Sequence, residues 1–142
     1  MKKVFLSLKS VFLLVMLLFV TTSSFGQVLK LKSTAIAYQY QDENNQWEEW
    51  TDFEETSVLI VMNLNEERIT IYSQETQVYD IVQSDGETKD SDGDEFLSLR
   101  CVNEDGINCT VRLATLYSDG GRSQLYINFS NMVLVYNVYS LD

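Results

Sequence analysis

The residues best suited to bind a ligand are five aromatics in the first half of the sequence. Trp47, Trp50 and Phe53 follow one another at intervals of three in an acidic stretch, and Tyr38 and Tyr40 precede them. Aromatic rings stack on sugars and line apolar pockets, but they also build cores and lids. The five residues are therefore a candidate ligand site, and packing as a core or lid is the alternative.

The two cysteines are the second candidate for chemistry. Cys101 and Cys109 flank a turn at residues 104–106, and they lie opposite each other if the strands pair so that residue numbers sum to 210. This register also places Leu99 opposite Val111 on the same face. The sequence predicts a disulfide across the hairpin. Two buried free thiols are the alternative, because directly opposed positions of the hydrogen-bonded kind suit a bridge poorly.

Composition excludes most other catalytic chemistry. The chain has 0 His, which rules out His-based triads, imidazole general bases and His-containing zinc sites. Two cysteines alone cannot make a structural zinc site. The sequence has neither a glycine-rich phosphate loop before a helix nor a Gly-x-Ser-x-Gly motif. We therefore expect a non-catalytic protein without a cofactor.

An acidic run at residues 90–95, Asp-Ser-Asp-Gly-Asp-Glu, resembles the start of a calcium-binding loop. Alternate carboxylates in such a run can face one hard cation. Glycine falls at the fourth position instead of the sixth, and Cys101 stands at the twelfth, where a bidentate glutamate is needed. These departures favour an acidic hairpin loop, and no metal site is predicted.

Alternating apolar residues between positions 96 and 139 indicate the sheet that must position these side chains. After the cysteine hairpin, Ser118-Asp119-Gly120 repeats the turn pattern, and a register sum of 238 places Leu113 opposite Leu125 and Val111 opposite Ile127. Both turns are predicted to be three-residue loops that end in a left-handed glycine.

The rest of the chain supplies further short strands, at residues 30–32, 34–40, 58–64, 68–73, 78–82 and 132–139. The interval of three between Trp47, Trp50 and Phe53 predicts a helical turn or a stretch of 3₁₀ helix, in a connection that folds its aromatics onto the sheet. Residues 84–95 predict a solvated loop. The last strand is apolar on both faces, which favours its pairing with the first. We expect an all-β fold of about eight mostly antiparallel strands, an up-and-down barrel or half-open barrel, with a two-layer sandwich as the alternative.

The first residues have the three parts of a secretory signal peptide. Met1-Lys2-Lys3 is followed by an unbroken apolar core at residues 11–20, and small residues stand at Ser24 and Gly26. We therefore expect a signal peptide at residues 1–26 and a single β domain at residues 27–142. A retained membrane anchor is the alternative, but ten apolar residues are short for a span, so no membrane insertion is expected after signal removal.

Charge restricts the partners of the exported chain. Without residues 1–26, the 10 basic residues fall to 7 while all 21 acidic residues remain, so the net charge is 7 − 21 = −14. Nucleic acids and anionic membrane surfaces would be repelled. A small apolar ligand, a glycan or a protein remains as the expected partner, in a periplasmic or secreted location.

Several short stretches resemble the short uncharacterised exported β-proteins that are common in Bacteroidetes. These stretches are Ser24-Phe25-Gly26-Gln27, the Trp47-x-x-Trp50 spacing, Arg68-Ile69-Thr70-Ile71-Tyr72-Ser73 and Tyr136-Asn137-Val138-Tyr139. The resemblance implies a periplasmic or secreted location in a Gram-negative cell. It brings no activity, ligand or catalytic residue, and a calycin-like barrel is an analogy of fold only.

Two functions follow from the sequence as hypotheses. The first is an exported non-catalytic binding module, with the aromatic segment from Trp47 to Phe53 near one mouth of the barrel. The second is a structural or protein-interaction module, in which the apolar last strand meets a partner or a second copy of the chain.

Overall fold

Nine strands follow one another in the computed structural model, which describes residues 27–141. Their bounds are β1 Val28–Tyr40, β2 Glu54–Glu55, β3 Leu59–Asn63, β4 Arg68–Tyr72, β5 Thr76–Lys89, β6 Glu95–Asn103, β7 Asn108–Leu116, β8 Arg122–Asn128 and β9 Met132–Ser140. Each strand from β3 to β9 pairs antiparallel with the next, and β9 returns to pair with β1. The predicted all-β barrel is confirmed, as eight strands closed by the pairing of the last with the first, with β2 as a short addition. The expected signal peptide lies outside the described residues.

Helical structure among residues 27–141 is limited to a 3₁₀ turn at Tyr117–Asp119. No helix in this range is long and apolar enough to cross a membrane.

The predicted register of the central hairpins is confirmed. Cys101 pairs with Cys109 and Leu99 with Val111 between β6 and β7, and Val111 pairs with Ile127 between β7 and β8. Gly106 has the expected left-handed conformation, with φ of 78°.

The turn between β7 and β8 differs from its prediction as a three-residue loop. The last pair is Leu116 with Arg122, and five residues connect them through the 3₁₀ turn. Gly120 is left-handed, but Gly121 is too, with φ values of 68° and 78°. The second glycine thus allows a wider turn in the same register.

Strand β5 is longer than its sequence pattern indicates. Residues 84–95 are mostly exposed to solvent, as predicted, but most of them belong to strands, so the prediction of a loop was wrong there. The strand continues to Lys89 and pairs with β6 through two register irregularities, between Ile81 and Gln83 and between Ser84 and Gly86. A bulge adds a residue to one strand and breaks the alternation of inward and outward side chains. This is why the sequence shows no strand periodicity there.

Strand β1 is paired along both edges, and Ser33 lies where its pairing changes. One edge pairs with β9 over residues 31–40, with an irregularity between Ser33 and Ala35. The other edge pairs with β3 over residues 28–32. The buried Ser33, only 2% exposed, donates its backbone N–H to Val58 O (3.0 Å), and its Oγ accepts the N–H of Val58 (2.8 Å). The Ser33 side chain thus satisfies a backbone donor at the point where the chain enters β3.

We expect Ser33→Ala to lower the free energy of unfolding by about 1–3 kcal/mol, because it leaves the Val58 N–H without its acceptor. Urea unfolding measures this change. The matched control is Ser57→Ala, since Ser57 is exposed one residue before Val58. Equal stability of the two variants would contradict the role assigned to the Ser33 hydroxyl.

Candidate functional site

Apolar side chains fill the interior of the barrel. The innermost of them are 0% exposed, among them Ile60, Met62, Ile69, Ile71, Val111, Leu125 and Ile127. The barrel interior is therefore packed with side chains at these positions. A cleft of about 580 Å³ lies instead beside Arg100, Thr110 and Asn128, which neighbour one another across β6, β7 and β8.

Residues 42–56, here called the strap, connect β1 to β3 and include β2. The strap begins with a tight turn in which Asp42 Oδ1 accepts the N–H groups of Asn44 (2.8 Å) and Gln46 (2.9 Å). Asn45 takes a left-handed conformation there, with φ of 59°, which asparagine tolerates better than most residues. The turn reverses the chain, so that the strap runs back along β1.

Backbone hydrogen bonds attach the strap to the edge of β1 that β3 leaves free. The N–H of Glu48 donates to Tyr40 O (2.8 Å) and that of Thr51 to Tyr38 O (2.8 Å). The Thr51 side chain completes this contact, because its Oγ1 accepts the Tyr38 N–H (2.8 Å). Further along, Thr56 N–H donates to Thr34 O (3.1 Å). These bonds hold the strap extended, so the predicted helical turn was wrong.

The strap presents three large aromatic side chains to solvent: Trp47 is 45% exposed, Trp50 42% and Phe53 48%. Trp47 lies opposite Gln41 in an isolated bridge. The Trp50 ring packs edge-on against Tyr126 of β8, with ring centroids 6.4 Å apart and an interplanar angle of 77°. We call Trp47, Trp50 and Phe53 the aromatic strip. It lies on the outer wall of the barrel.

The other two candidate residues, Tyr38 and Tyr40, form a separate stacked pair. Their ring centroids are 6.0 Å apart and their planes differ by 10°. Tyr38 packs against the core, whereas Tyr40 is 42% exposed. Burial raises the pKa of Tyr38 above its ordinary value, and the nearby Tyr40 and Glu54 raise it further. The five predicted residues are thus divided between the outer wall and the inward-facing side of β1.

A polar network beside the strip was not anticipated from the sequence. Tyr126 donates its hydroxyl to Gln124 Oε1 (2.8 Å), and Gln124 Nε2 donates to Asn137 Oδ1 (2.9 Å). Tyr126 also lies opposite Val135 of β9, which is only 3% exposed. The available signal was Tyr126 itself, an aromatic that faces outward between the inward-facing Leu125 and Ile127. A large aromatic side chain on the outward face of β8 indicates that another segment of the chain covers the barrel wall at this point.

The predicted disulfide is not formed, although the predicted register is correct: Cys101 and Cys109 are free buried thiols. Across the turn, Asn103 N–H donates to Ile107 O (3.0 Å), which makes these two residues a hydrogen-bonded pair. Hydrogen-bonded and non-hydrogen-bonded pairs alternate, so the cysteines, two residues further, are also a hydrogen-bonded pair. Side chains in such pairs are further apart, which disfavours a bridge. The Cys101 thiol donates instead to Leu99 O at 3.7 Å.

The acidic turn between β5 and β6 brings carboxylate oxygens of Asp90, Asp92 and Asp94 within 4.8 Å of one another. Asp94 is only 6% exposed, and both its oxygens are used by Ser118. Oδ1 accepts the Ser118 N–H (2.9 Å) and Oδ2 accepts the Ser118 hydroxyl (2.8 Å). These bonds hold the pKa of Asp94 below its ordinary value. Asp94 therefore ties this turn to the turn between β7 and β8, and the expectation of no metal site stays a prediction.

We expect both thiols to be unreactive toward a disulfide reagent in the native protein and fully reactive after denaturation. Burial raises the pKa of Cys101 to about 12, with a further contribution from Cys109, and it raises the pKa of Cys109 to about 11. The reactive thiolate is therefore scarce near neutral pH. Thiol counting in denaturant should give two groups per chain. A count of zero would contradict the free thiols.

We expect Asp94→Asn to destabilise the protein at neutral pH and to lose this effect in acid. A carboxyl group with a depressed folded pKa stabilises above its ordinary pKa of about 4, and the stabilisation is lost as pH falls through the folded pKa. Urea unfolding of both proteins between pH 7 and pH 3 measures the difference. The exposed Asp92→Asn is the control. A difference that stays constant with pH would rule out an ionised Asp94 as its source.

Comparisons with protein-family models, with curated proteins and with solved structures found no match to this chain. The relation to the short exported β-proteins therefore stays a prediction. The strap, the aromatic strip and the tyrosine pair are the features from which a function can be inferred.

Proposed function

We propose that this protein is an exported, non-catalytic β-barrel binding module that binds its ligand on the aromatic strip. The observation that carries the proposal is the exposure of Trp47, Trp50 and Phe53, each 42% or more, on a segment that is hydrogen-bonded to the barrel wall. Exposed clusters of large apolar side chains on a monomer are typical of interaction sites.

The attachment of the strap supports binding because it lowers the entropic penalty of association. Glu48 and Thr51 bond to β1 on either side of Trp50, and the Trp50 ring is itself packed on Tyr126. Tryptophan offers a large contact area with only two side-chain torsions to fix. A surface that is ordered before binding retains more of its contact energy as affinity.

The filled interior supports the outer wall as the location of the site. In barrels that enclose a ligand, the cavity replaces part of the core. Here Met62, Ile69 and Ile127 are 0% exposed at the centre of the barrel. The ligand is therefore proposed to bind across the strap, and the barrel supports the strap.

The proposal also covers where the protein is located and which partners it does not bind. A periplasmic or secreted location rests on the leader at residues 1–26, and the net charge of −14 after its removal disfavours nucleic acid and anionic membrane surfaces.

The alternative hypothesis, an interaction through the last strand, has less support. It needs an open edge or an exposed apolar face on β9. Strand β9 pairs with β8 on one side and β1 on the other. Its outward residues Val133 and Val135 are 9% and 3% exposed, and Tyr139, near the end of the strand, is 49% exposed. A partner would therefore find a single exposed aromatic side chain on this face of β9.

Intrinsic fluorescence tests the proposed function, because both tryptophans of the chain are on the strap. We expect the emission to change on titration with at least one ligand from a panel of cellohexaose, maltohexaose and octapeptides of either charge. Combined Trp47→Ala and Phe53→Ala should weaken that binding tenfold or more in calorimetry, as expected for central aromatic contacts. The matched control is Tyr72→Ala, since Tyr72 is 51% exposed on β4.

Absence of binding to every member of the panel would overturn the proposed function. Equal losses of affinity in the Trp47→Ala, Phe53→Ala double variant and in Tyr72→Ala would also overturn it, because the aromatic strip would then contribute no more to binding than another exposed aromatic.

A further inference from the structure

The strap combines its aromatics with a high density of negative charge. Residues 42–55 contain seven carboxylates and no lysine or arginine. All seven of these acidic residues are exposed: Asp42, Glu43, Glu48, Glu49, Asp52, Glu54 and Glu55. Acidic residues therefore lie on both sides of each member of the aromatic strip.

Five of the seven basic residues in residues 27–141 contact partners that are not on the strap. Ion pairs join Arg68 to Asp80, Lys89 to Glu95, Arg100 to Asp85 and Arg122 to Asp119. Arg112 lies over the Phe96 ring, with its guanidinium carbon 4.1 Å from the ring centroid. Lys30 and Lys32 are on β1 beside β3, and Lys32 is two residues before Thr34, which bonds to the end of the strap. None of the ion pairs found among residues 27–141 includes a carboxylate of the strap.

The spacing of the carboxylates indicates an extended partner and disfavours a single metal ion. Among the described residues, the group of acids whose oxygens converge is Asp90, Asp92 and Asp94, which is not on the strap. The strap acids instead follow an extended backbone beside residues 34–41 of β1. At about 3.3 Å per residue, this length matches an extended peptide of about eight residues.

Aromatic rings and carboxylates favour the same type of partner. Lysine and arginine side chains bind the faces of tryptophan and phenylalanine through cation–π contacts, and tryptophan is the best of these rings. They also pair with carboxylates, and their apolar stems can pack along the rings. The chain already makes one such contact, between Arg112 and Phe96.

We propose that the strap binds a cationic segment of another protein, an extended stretch rich in lysine or arginine. The basic side chains of that segment lie on Trp47, Trp50 and Phe53, and the flanking carboxylates neutralise them. This inference rests on the proposed function and specifies its ligand class.

Calorimetry with an octapeptide of alternating lysine and threonine tests the inference on the full mature chain. The strap variant combines Glu48→Gln, Glu49→Gln and Asp52→Asn. The control variant combines Glu66→Gln, Glu75→Gln and Glu104→Gln, which are exposed acids on other turns and have the same total charge change. We expect about tenfold weaker binding for the strap variant than for the control variant, and weaker binding of both as salt increases. An octapeptide of glutamate and threonine should not bind.

Equal affinities of the two variants would overturn the inference, because attraction would then follow net charge alone. Binding of a neutral hexasaccharide at the aromatic strip, with no binding of the lysine peptide, would also overturn it and would leave the proposed function intact. Failure of every ligand would overturn both.

Discussion

The backbone of β1 imposes the constraint on which the rest of the structure depends. A strand in a closed barrel must have both edges paired, because unpaired backbone groups at an edge are exposed to other chains. The β9 strand covers one edge over residues 31–40, but β3 covers the other only over residues 28–32. The remaining edge, at residues 34–41, is covered by the strap.

This constraint explains the position of the aromatic strip. Because N–H groups of the strap donate to carbonyl oxygens of β1, the strap runs alongside β1 on the barrel wall. Trp50 reaches Tyr126 across the outer wall, close to the buried Val135. All three aromatic side chains of the strip stay 42% to 48% exposed. The hydrogen bonds that cover the edge of β1 thus also place the aromatic residues on the outer wall of the barrel.

Ser33 makes this arrangement compatible with β3. The register of β1 shifts between Ser33 and Ala35, and a shift of this kind leaves backbone groups without regular partners. The Ser33 hydroxyl accepts the Val58 N–H at 2.8 Å. It therefore attaches Val58, which lies between the strap and β3, to β1.

The registers of the central hairpins and the pairing of the last strand with the first could be predicted, but the pairing of the strap with β1 could not. The alternation of apolar residues, together with the Gly106 turn, was sufficient to place Leu99 opposite Val111 and Cys101 opposite Cys109. Whether the cysteines form a bridge depends on whether they are a hydrogen-bonded or a non-hydrogen-bonded pair. The alternation of apolar residues along the strands does not show this directly. The spacing of Trp47 and Trp50 predicted a helical turn, because the sequence does not show that the edge of β1 needs a partner. For the candidate site, the aromatic residues were predicted, but their division between two faces and the role of Tyr126 required the three-dimensional structure.

Amide hydrogen exchange measures whether the strap is a fixed part of the barrel wall. The N–H groups of Glu48, Thr51 and Thr56 donate to carbonyl oxygens of β1. We predict that they exchange at least about a hundredfold more slowly than the same residues in an unstructured peptide, as expected for stably bonded backbone. Exchange at the rate of an unstructured peptide, while β1 and β9 stay protected, would show that the strap is detached and would contradict its role as part of the wall.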